Sequence, residues 1–307
     1  MIDRHDRIAG VLLAQACGDA LGSHYEFGTP SRRCAQMLRG RSGHGPGEFT
    51  DDTQQAVCVA QARSEPLAVA ERLLEWYRSH PRHIGIQTRA IMSRCSTPSG
   101  LQAASRAYAS RQEARPKPAG WDPGAGNGSL MRTGPVCLPH LGDRERIARV
   151  ARDVSDLTHA DAYSGDACVL WSLSIDAAIS AAEPANAQSL ISGALEYLPQ
   201  ERRAFWQRLV AGAPSARPAR LGANGSAVGC LTAALHAAAN ATGLEDGLQR
   251  AVSYGHDTDT VAAVVGGLLG AIYGASAVPD EWREAVHGWP GMKAPDLEDL
   301  ALQAAGV

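Results

Sequence analysis

The stretch YGHDTDTVAAVVGGLLGAIYG, residues 254–274, joins two aspartates to a long apolar segment. Asp257 and Asp259 are each followed by a threonine, and the residues after them carry no charge as far as Val278. The apolar residues do not alternate as in a strand, so we predict a helix over residues 260–273. Because the segment is rich in Gly and Ala and is flanked by acids, a helix buried in a bundle is favoured over a membrane span.

The rest of the sequence has the same helical character. The 307 residues are 45% hydrophobic but 5% aromatic, a composition that suits packed helices better than a sheet. Apolar residues recur at spacings of three and four, so we predict an all-α fold. We also expect one domain over residues 1–307, since similar helices continue on both sides of the two longest loops. The predicted helices, besides 260–273 and two short ones near the C-terminus, are 4–21, 53–63, 67–79, 102–111, 130–138, 144–157, 160–182, 187–197, 201–210, 227–241 and 244–253.

Charge and cysteine content exclude several classes of protein. The formal net charge of -3 provides no strong nucleic-acid-binding surface. The seven cysteines are scattered without a C-x-x-C pair, which indicates reduced thiols and argues against a thiolate zinc site. The N-terminal residues MIDRHDRIAG are too charged for a signal peptide, so we expect a cytoplasmic protein without a membrane segment.

A second acidic cluster begins another apolar helix. In FTDDTQQAVCVAQA, residues 49–62, Thr50 precedes Asp51 and Asp52. Thr and Asp at a helix start are ordinary capping residues, so either cluster alone could be structural. If the two helix starts meet, however, their carboxylates require protonation or a cation. Carboxylates and hydroxyls without cysteine favour Mg²⁺ or Mn²⁺, and two acid clusters can hold two such ions.

A glycine-rich loop is the third candidate site. In GAGNGSLMRTGP, residues 124–135, the loop residues Gly126, Asn127, Gly128 and Ser129 lead into an apolar segment. Backbone N–H groups at such a helix start can bind phosphate or carboxylate. The alternative is an Asn-Gly turn followed by a serine that caps a helix.

Two further polar positions have both a functional and a structural interpretation. In CGDALGSHYEFG, residues 17–28, Asp19 and Glu26 lie at the end of a helix. Glu26 is flanked by aromatic residues, so it could be a carboxylate in a partly apolar cleft, suited to proton transfer; a surface glutamate is the alternative. His159, between two predicted helices, could contact a ligand or be structural.

Taken in order, these motifs resemble the ADP-ribosylglycohydrolase family, whose bacterial members include the dinitrogenase reductase-activating glycohydrolases. The resemblance covers nearly the whole chain. It implies a compact, orthogonal multi-helix bundle with two Mg²⁺ or Mn²⁺ ions, which cleaves the glycosidic bond between ADP-ribose and a modified target. The segments that carry it are GVLLAQACGDALGSHYEFG, FTDDTQQA, GNGSLMRTGPV, SDLTHADAYSGDA and GHDTDTVAAVVGGLLGAIYG.

The resemblance also implies roles for individual residues. Glu26, Asp52 and Asp257 would be catalytic, and residues 126–129 together with His159 would contact ADP-ribose. The implied metal ligands are Thr50, Asp51, Asp52, Asp257, Asp259 and Thr260.

Two positions depart from the family pattern, and both concern the substrate linkage more than the metals. His256 stands where members usually have glycine, so it could add a ligand or proton donor and contact the substrate. Gly124 replaces an acid that some members carry, and Asp122 lies two residues upstream.

The first expectation for the target is an arginine side chain of a modified protein. A catalytically inactive ADP-ribose-binding relative is an alternative, although all six metal-ligand positions are retained. A hydrolase of ADP-ribose on a nucleic-acid base or small molecule is another.

Overall fold

The computed structural model describes residues 2–31, 34–113 and 124–307, so Asp122 and most of the predicted loop at 111–128 lie outside the described residues. The α-helices are α1 Arg4–Gly22, α2 Asp51–Gln61, α3 Pro66–Arg78, α4 Ile86–Met92, α5 Leu101–Glu113, α6 Arg144–Asp156, α7 Ala162–Ser180, α8 Ala187–Ser192, α9 Gln200–Gly212, α10 Pro218–Leu221, α11 Ala227–Ala239, α12 Leu244–Ser253, α13 Thr258–Tyr273, α14 Asp280–Ala285 and α15 Ala294–Ala305. Single 3₁₀ turns or short 3₁₀ helices occupy Pro98–Gly100, Gly134–His140, Leu195–Tyr197, Ala213–Ser215 and Ala275–Ala277. Strands β1 His287–Gly288 and β2 Met292–Lys293 pair antiparallel.

The predicted all-α fold class is confirmed, but some predicted helices differ in detail. The segment predicted as helix 130–138 is instead the 3₁₀ helix Gly134–His140, which contains Pro139. Proline has no N–H and clashes with the preceding turn, which disfavours a regular α-helix there. Helix α4 was not predicted, and the predicted helix 187–197 ends as α8 at Ser192.

Helices α1 and α13 cross at very short distance because glycines line their contact. A Cβ added to Gly266 would lie 2.2 Å from the carbonyl oxygen of Ala14, and one on Gly22 would lie 2.5 Å from Cα of Asp259. Distances this short exclude any side chain, so the two backbones can meet only at glycine. The hydroxyl of Thr258 also donates to the carbonyl of Gly22 at 2.8 Å. The N-terminal end of α13 is therefore fixed against the C-terminal end of α1.

Helix α13 is buried along its length, as its uncharged sequence predicts. Every residue from Thr258 to Ile272 is buried, and the indole of Trp171 in α7 donates to the carbonyl of Val264 at 2.9 Å. Among the helices of the described residues, none has the length and apolar character needed to cross a membrane. The bundle interpretation of the 254–274 stretch is thus the correct one.

Candidate active site

Asp19 of α1 organises the start of α2. Its carboxylate accepts hydrogen bonds from the backbone N–H groups of Thr50 and Thr53, each at 3.0 Å, and from their hydroxyls at 2.8 and 2.7 Å. The first N–H groups of a helix have no partner within the helix, so this carboxylate from another helix satisfies two of them. Asp19 therefore joins α1 to α2 at the same end where α1 meets α13.

The starts of α2 and α13 bring their carboxylates together. One carboxylate oxygen from each of Asp19, Asp52 and Asp259 lies within 4.8 Å of the others. A second group, formed by Glu26, Asp257 and Asp259, meets the same distance. Asp259 belongs to both groups. Two acidic clusters separated by some 200 residues of sequence thus form one continuous site.

Two oxygen atoms in this site are buried without a hydrogen-bond partner. They are Oδ1 of Asp52 and Oδ2 of Asp259. Burial raises the pKa of both carboxyls well above the ordinary range, and the neighbouring carboxylates raise the pKa further. Buried, unpaired carboxylate oxygens are unfavourable unless protonated or bound to a cation. The donor set consists of oxygen atoms, so it fits a hard divalent cation such as Mg²⁺ or Mn²⁺.

The threonines predicted as ligands lie in the site and are engaged with its acids. The hydroxyl of Thr50 donates to Asp19 and also lies 3.2 Å from Oδ2 of Asp52. The N–H of Thr260 donates to Oδ1 of Asp259 at 2.9 Å, and its hydroxyl hydrogen-bonds Asp52. Each hydroxyl therefore uses its proton within the acid cluster, and its oxygen lone pairs remain for a cation.

Asp51 and Glu26 are linked by a histidine that sequence reasoning missed. Nδ1 of His83 lies 2.7 Å from Oδ1 of Asp51, and its Nε2 lies 3.8 Å from Oε1 of Glu26. The hydrogen bond with Asp51 raises the pKa of His83 to about 9. Glu26 is 4% exposed, and burial raises its pKa to about 7, against the opposing charge of His83. Asp51 thus binds His83 and belongs to neither three-carboxylate group.

The glycine-rich loop is tied to the second carboxylate group through Asn127. Its side-chain amide donates to Oδ2 of Asp257 at 2.7 Å and to the carbonyl of Asn224 at 3.1 Å. The side chain of Asn224 in turn accepts from the N–H of Asp257 at 3.1 Å. The loop and the start of α13 are therefore held in one hydrogen-bond network. Asn224 gave no signal in the sequence, because it stands in an irregular segment before α11.

His159 and Ser129 support the loop from inside the protein. A Cβ on Gly128 would lie 2.8 Å from Cε1 of His159, so the loop backbone packs directly on the imidazole. The ring is buried and lies 2.9 Å from the hydroxyl of Thr158, and burial lowers the pKa of His159 to about 3. The hydroxyl of Ser129 is buried and accepts from Ser155 at 2.9 Å. Both side chains therefore position the loop.

Arg132, which follows this loop, is not available to an anion there. Its guanidinium is fully buried and donates to the side chain of Gln55 and to the carbonyl of Val154, each at 2.9 Å. Gly126 pairs in a backbone bridge with Ser226. Anion binding in this loop would therefore depend on its backbone N–H groups.

His256 lies at the surface next to Asp257. Its residue is exposed, its φ is +59°, and its backbone pairs with Gly28 in an isolated bridge. His256 is thus next in the chain to a site carboxylate and paired to the segment that carries Glu26.

Comparisons with known proteins agree with this geometry. A sequence profile described as ADP-ribosylglycohydrolase matches residues 1–307. The ADP-ribosylarginine hydrolase Tri1 of Pseudomonas putida (strain GB-1) is 29% identical over 92% of this chain and 74% of its own length. The ADP-ribosyl-[dinitrogen reductase] glycohydrolase of Rhodospirillum rubrum is 26% identical over 99% of this chain and 98% of its own.

A solved structure, titled "ADP-ribosylglycohydrolase-related protein complex", superposes with a TM-score of 0.74. It is 32% identical in sequence, and the match covers 99% of this chain and 98% of that one. The motif order, the fold and the full-length profile match all agree. The chain therefore belongs to the ADP-ribosylglycohydrolase family, and it is an ADP-ribosyl glycohydrolase.

Proposed function

We propose that the chain hydrolyses the bond between ADP-ribose and an arginine side chain of a modified protein, using two Mg²⁺ or Mn²⁺ ions. The observation that carries this proposal is the pair of three-carboxylate groups that share Asp259. The Pseudomonas relative, whose name specifies ADP-ribosylarginine, supports arginine as the modified residue. The buried oxygens of Asp52 and Asp259 without partners support the metals.

The proposed ligands are the six residues at the starts of α2 and α13, with Asp259 placed to serve both ions. Asp19 lies close enough to contribute, although its oxygens already accept four hydrogen bonds from Thr50 and Thr53. Bound divalent ions would neutralise the carboxylates, orient the diol of the distal ribose and lower the pKa of a water molecule. The ligand positions are listed here: Thr50, Asp51, Asp52, Asp257, Asp259 and Thr260.

Glu26 acts on the anomeric carbon in this proposal. When the bond from C1 to the arginine nitrogen breaks, positive charge develops on the ribose, and a nearby carboxylate stabilises it. Water supplies the hydroxyl to C1, and its proton passes through the site to the departing nitrogen. The pKa of Glu26, raised to about 7 by burial, suits a group that exchanges protons near neutral pH. His83 holds this carboxylate and Asp51 in fixed relative positions.

The loop at residues 126–129 has a separate role in binding. Its backbone N–H groups would receive the pyrophosphate, as N–H groups of glycine-rich turns do. The amide of Asn127 connects that loop to Asp257, so the anion site and the proposed second metal site are one rigid unit. The packing of Gly128 on His159 fixes the loop from below.

A panel of substrates tests the proposal. ADP-ribose linked to arginine, to serine and to a nucleic-acid base is incubated with the protein, with Mn²⁺ or with EDTA. We expect release from arginine in Mn²⁺ and none in EDTA. The Glu26→Gln variant should lose turnover while retaining its affinity for free ADP-ribose.

The other outcomes discriminate the alternatives. Release from serine or from the base, but not from arginine, would reject arginine as the target. Binding of ADP-ribose without release from any substrate would identify an inactive ADP-ribose-binding relative. Release that is unchanged in EDTA would reject the metal centre.

A further inference from the structure

Phe27 has an unusual environment for a large apolar residue. It follows Glu26 directly in the chain, yet 71% of its surface is exposed while Glu26 is buried. Its φ is +56°, a left-handed conformation that residues with a Cβ avoid. Exposure removes the burial that normally stabilises a phenylalanine, and the backbone conformation adds strain. Neither feature favours phenylalanine for folding, so its ring calls for an explanation in binding.

The backbone around Phe27 is firmly held. Its N–H donates to the carbonyl of His256, and the N–H of His256 donates to the carbonyl of Gly28 at 2.9 Å. Behind this bridge, a Cβ on Gly255 would lie 2.7 Å from the nitrogen of Pro30, so the two segments pack without space between them. The left-handed conformation is therefore imposed by the fold, and the exposed ring has a fixed point of attachment.

The bridge joins the two segments that supply the second carboxylate group. Glu26 precedes Phe27, and Asp257 follows His256, which is also exposed and also left-handed, with a φ of +59°. Two aromatic side chains are therefore attached one residue away from two of the three carboxylates. They lie at the border between the acid cluster and solvent. A target attached to the ribose has to leave the site across this border.

We propose that Phe27, with His256 beside it in the bridge, contacts the guanidinium of the arginine that departs from ADP-ribose. This inference rests on the proposed arginine specificity. A planar guanidinium stacks on an aromatic face and is attracted by its electrons, whereas a neutral serine hydroxyl gains neither contribution. Phe27 would thus determine which linkage is cleaved rather than how tightly ADP-ribose is bound.

The test uses variants that separate the ring from the backbone. Phe27→Gly removes the ring and relieves the left-handed strain, so it tests the ring without disturbing the fold. Phe27→Leu keeps an apolar side chain without aromatic character, and Phe27→Tyr keeps the ring. Leu67→Ala, which truncates an exposed apolar residue on α3, is the control for loss of surface hydrophobicity.

Three quantities are measured for each variant: kcat/KM for the arginine-linked substrate, the Kd of free ADP-ribose, and inhibition by agmatine, which carries a guanidinium, in the presence of ADP-ribose. We expect Phe27→Gly and Phe27→Leu to lower kcat/KM and to weaken agmatine inhibition by roughly 2- to 30-fold, the range of one cation–π contact. Phe27→Tyr and Leu67→Ala should match the unaltered protein, and the Kd of ADP-ribose should not change.

The outcomes separate this inference from the proposed function. If the unaltered protein cleaves the arginine linkage and Phe27→Gly cleaves it equally well, the inference is wrong and the proposed function stands. If Phe27→Gly weakens free ADP-ribose as much as it lowers kcat/KM, Phe27 contacts the nucleotide and the inference is again wrong. If the unaltered protein does not cleave the arginine linkage, the proposed function fails and this inference fails with it.

Discussion

Replacement of Asp259 with asparagine should stabilise the metal-free protein and abolish its response to metal. Asp259 belongs to both carboxylate groups, and one of its oxygens is buried without a partner. Asparagine has nearly the same shape but no charge. The substitution therefore removes the repulsion that the metal-free site contains, and it also removes a ligand proposed to serve both ions.

The magnitude follows from the distances in the site. Two unit charges separated by 4.8 Å repel by about 3.5 kcal/mol at an effective dielectric constant of about 20. Because protonation relieves part of this repulsion, we expect Asp259→Asn to raise the free energy of unfolding of the metal-free protein by about 1 to 3 kcal/mol. At about 2.1 cal/mol/K per residue, a chain of 307 residues changes its Tm by about 1.5 °C for each kcal/mol.

The dependence on pH has a definite sign. Burial raises the pKa of Glu26 from 4.5 to about 7, and it raises the pKa of Asp52 and Asp259 well above 3.8. The folded protein therefore binds more protons than the unfolded chain. The resulting stability is fully present below the unfolded pKa values and is lost as the pH rises through those of the folded state. The Tm of the metal-free protein should fall between about pH 5 and about pH 8, and it should fall less in Asp259→Asn.

Calorimetry after removal of metal by EDTA provides the assay. In the unaltered protein near neutral pH, Mn²⁺ at about 100 times its Kd should add about 2.7 kcal/mol, or about 4 °C; Asp259→Asn should show neither this shift nor turnover. Asp176→Asn, which replaces a buried acid outside the site, should keep both. A lower metal-free Tm in Asp259→Asn at about pH 8, or a retained Mn²⁺ shift, would refute the two-group cation site.

Two other changes test the residues that support the site. His83→Asn removes the hydrogen bond to Asp51, and we expect about a 10- to 100-fold loss of Mn²⁺ affinity or turnover, the usual effect of removing a group that orients a ligand. Metal titration should show this loss while the Kd of free ADP-ribose stays constant; an unchanged Mn²⁺ affinity and kcat would exclude the positioning role. Gly128→Ala places a Cβ 2.8 Å from His159, so the loop must shift, and affinity for free ADP-ribose should fall by about 5- to 30-fold, or about 1 to 2 kcal/mol. Gly212→Ala, at a glycine with open space around its Cβ position, is the matched control, and equal affinities in the two variants would contradict the loop assignment.

The sequence was most informative where local patterns are sufficient. The uncharged segment after Asp259 predicted a buried helix, and that helix spans Thr258–Tyr273. The acids at the start of α2 were assigned to the same site as those of α13, and the structure brings Asp52 and Asp259 together. The helical period and the charge repulsion between clusters were enough for these predictions.

The sequence was least informative where the partner of a residue comes from another part of the fold. Asp19 lies in an apolar helix and accepts hydrogen bonds from Thr50, 31 residues away. His83 stands in an irregular segment, and nothing local relates it to Asp51. Asn224 likewise meets Asp257 by tertiary contact alone. A capping residue that caps its own helix can be recognised from spacing, but a capping residue contributed by another helix cannot.

The packing of α1 on α13 explains why the acid cluster keeps its charge conflict. Carboxylates that repel one another could separate if their backbones were free to move. Here the helix that carries Asp19 touches the helix that carries Asp259 at Gly22, where there is no room for even a Cβ, and Thr258 binds the Gly22 carbonyl. Moving the helices apart would expose apolar surface along the whole buried length of α13. Repulsion in the site is therefore relieved by a proton or by a cation and not by movement, so the same glycines that close the core make the site respond to metal.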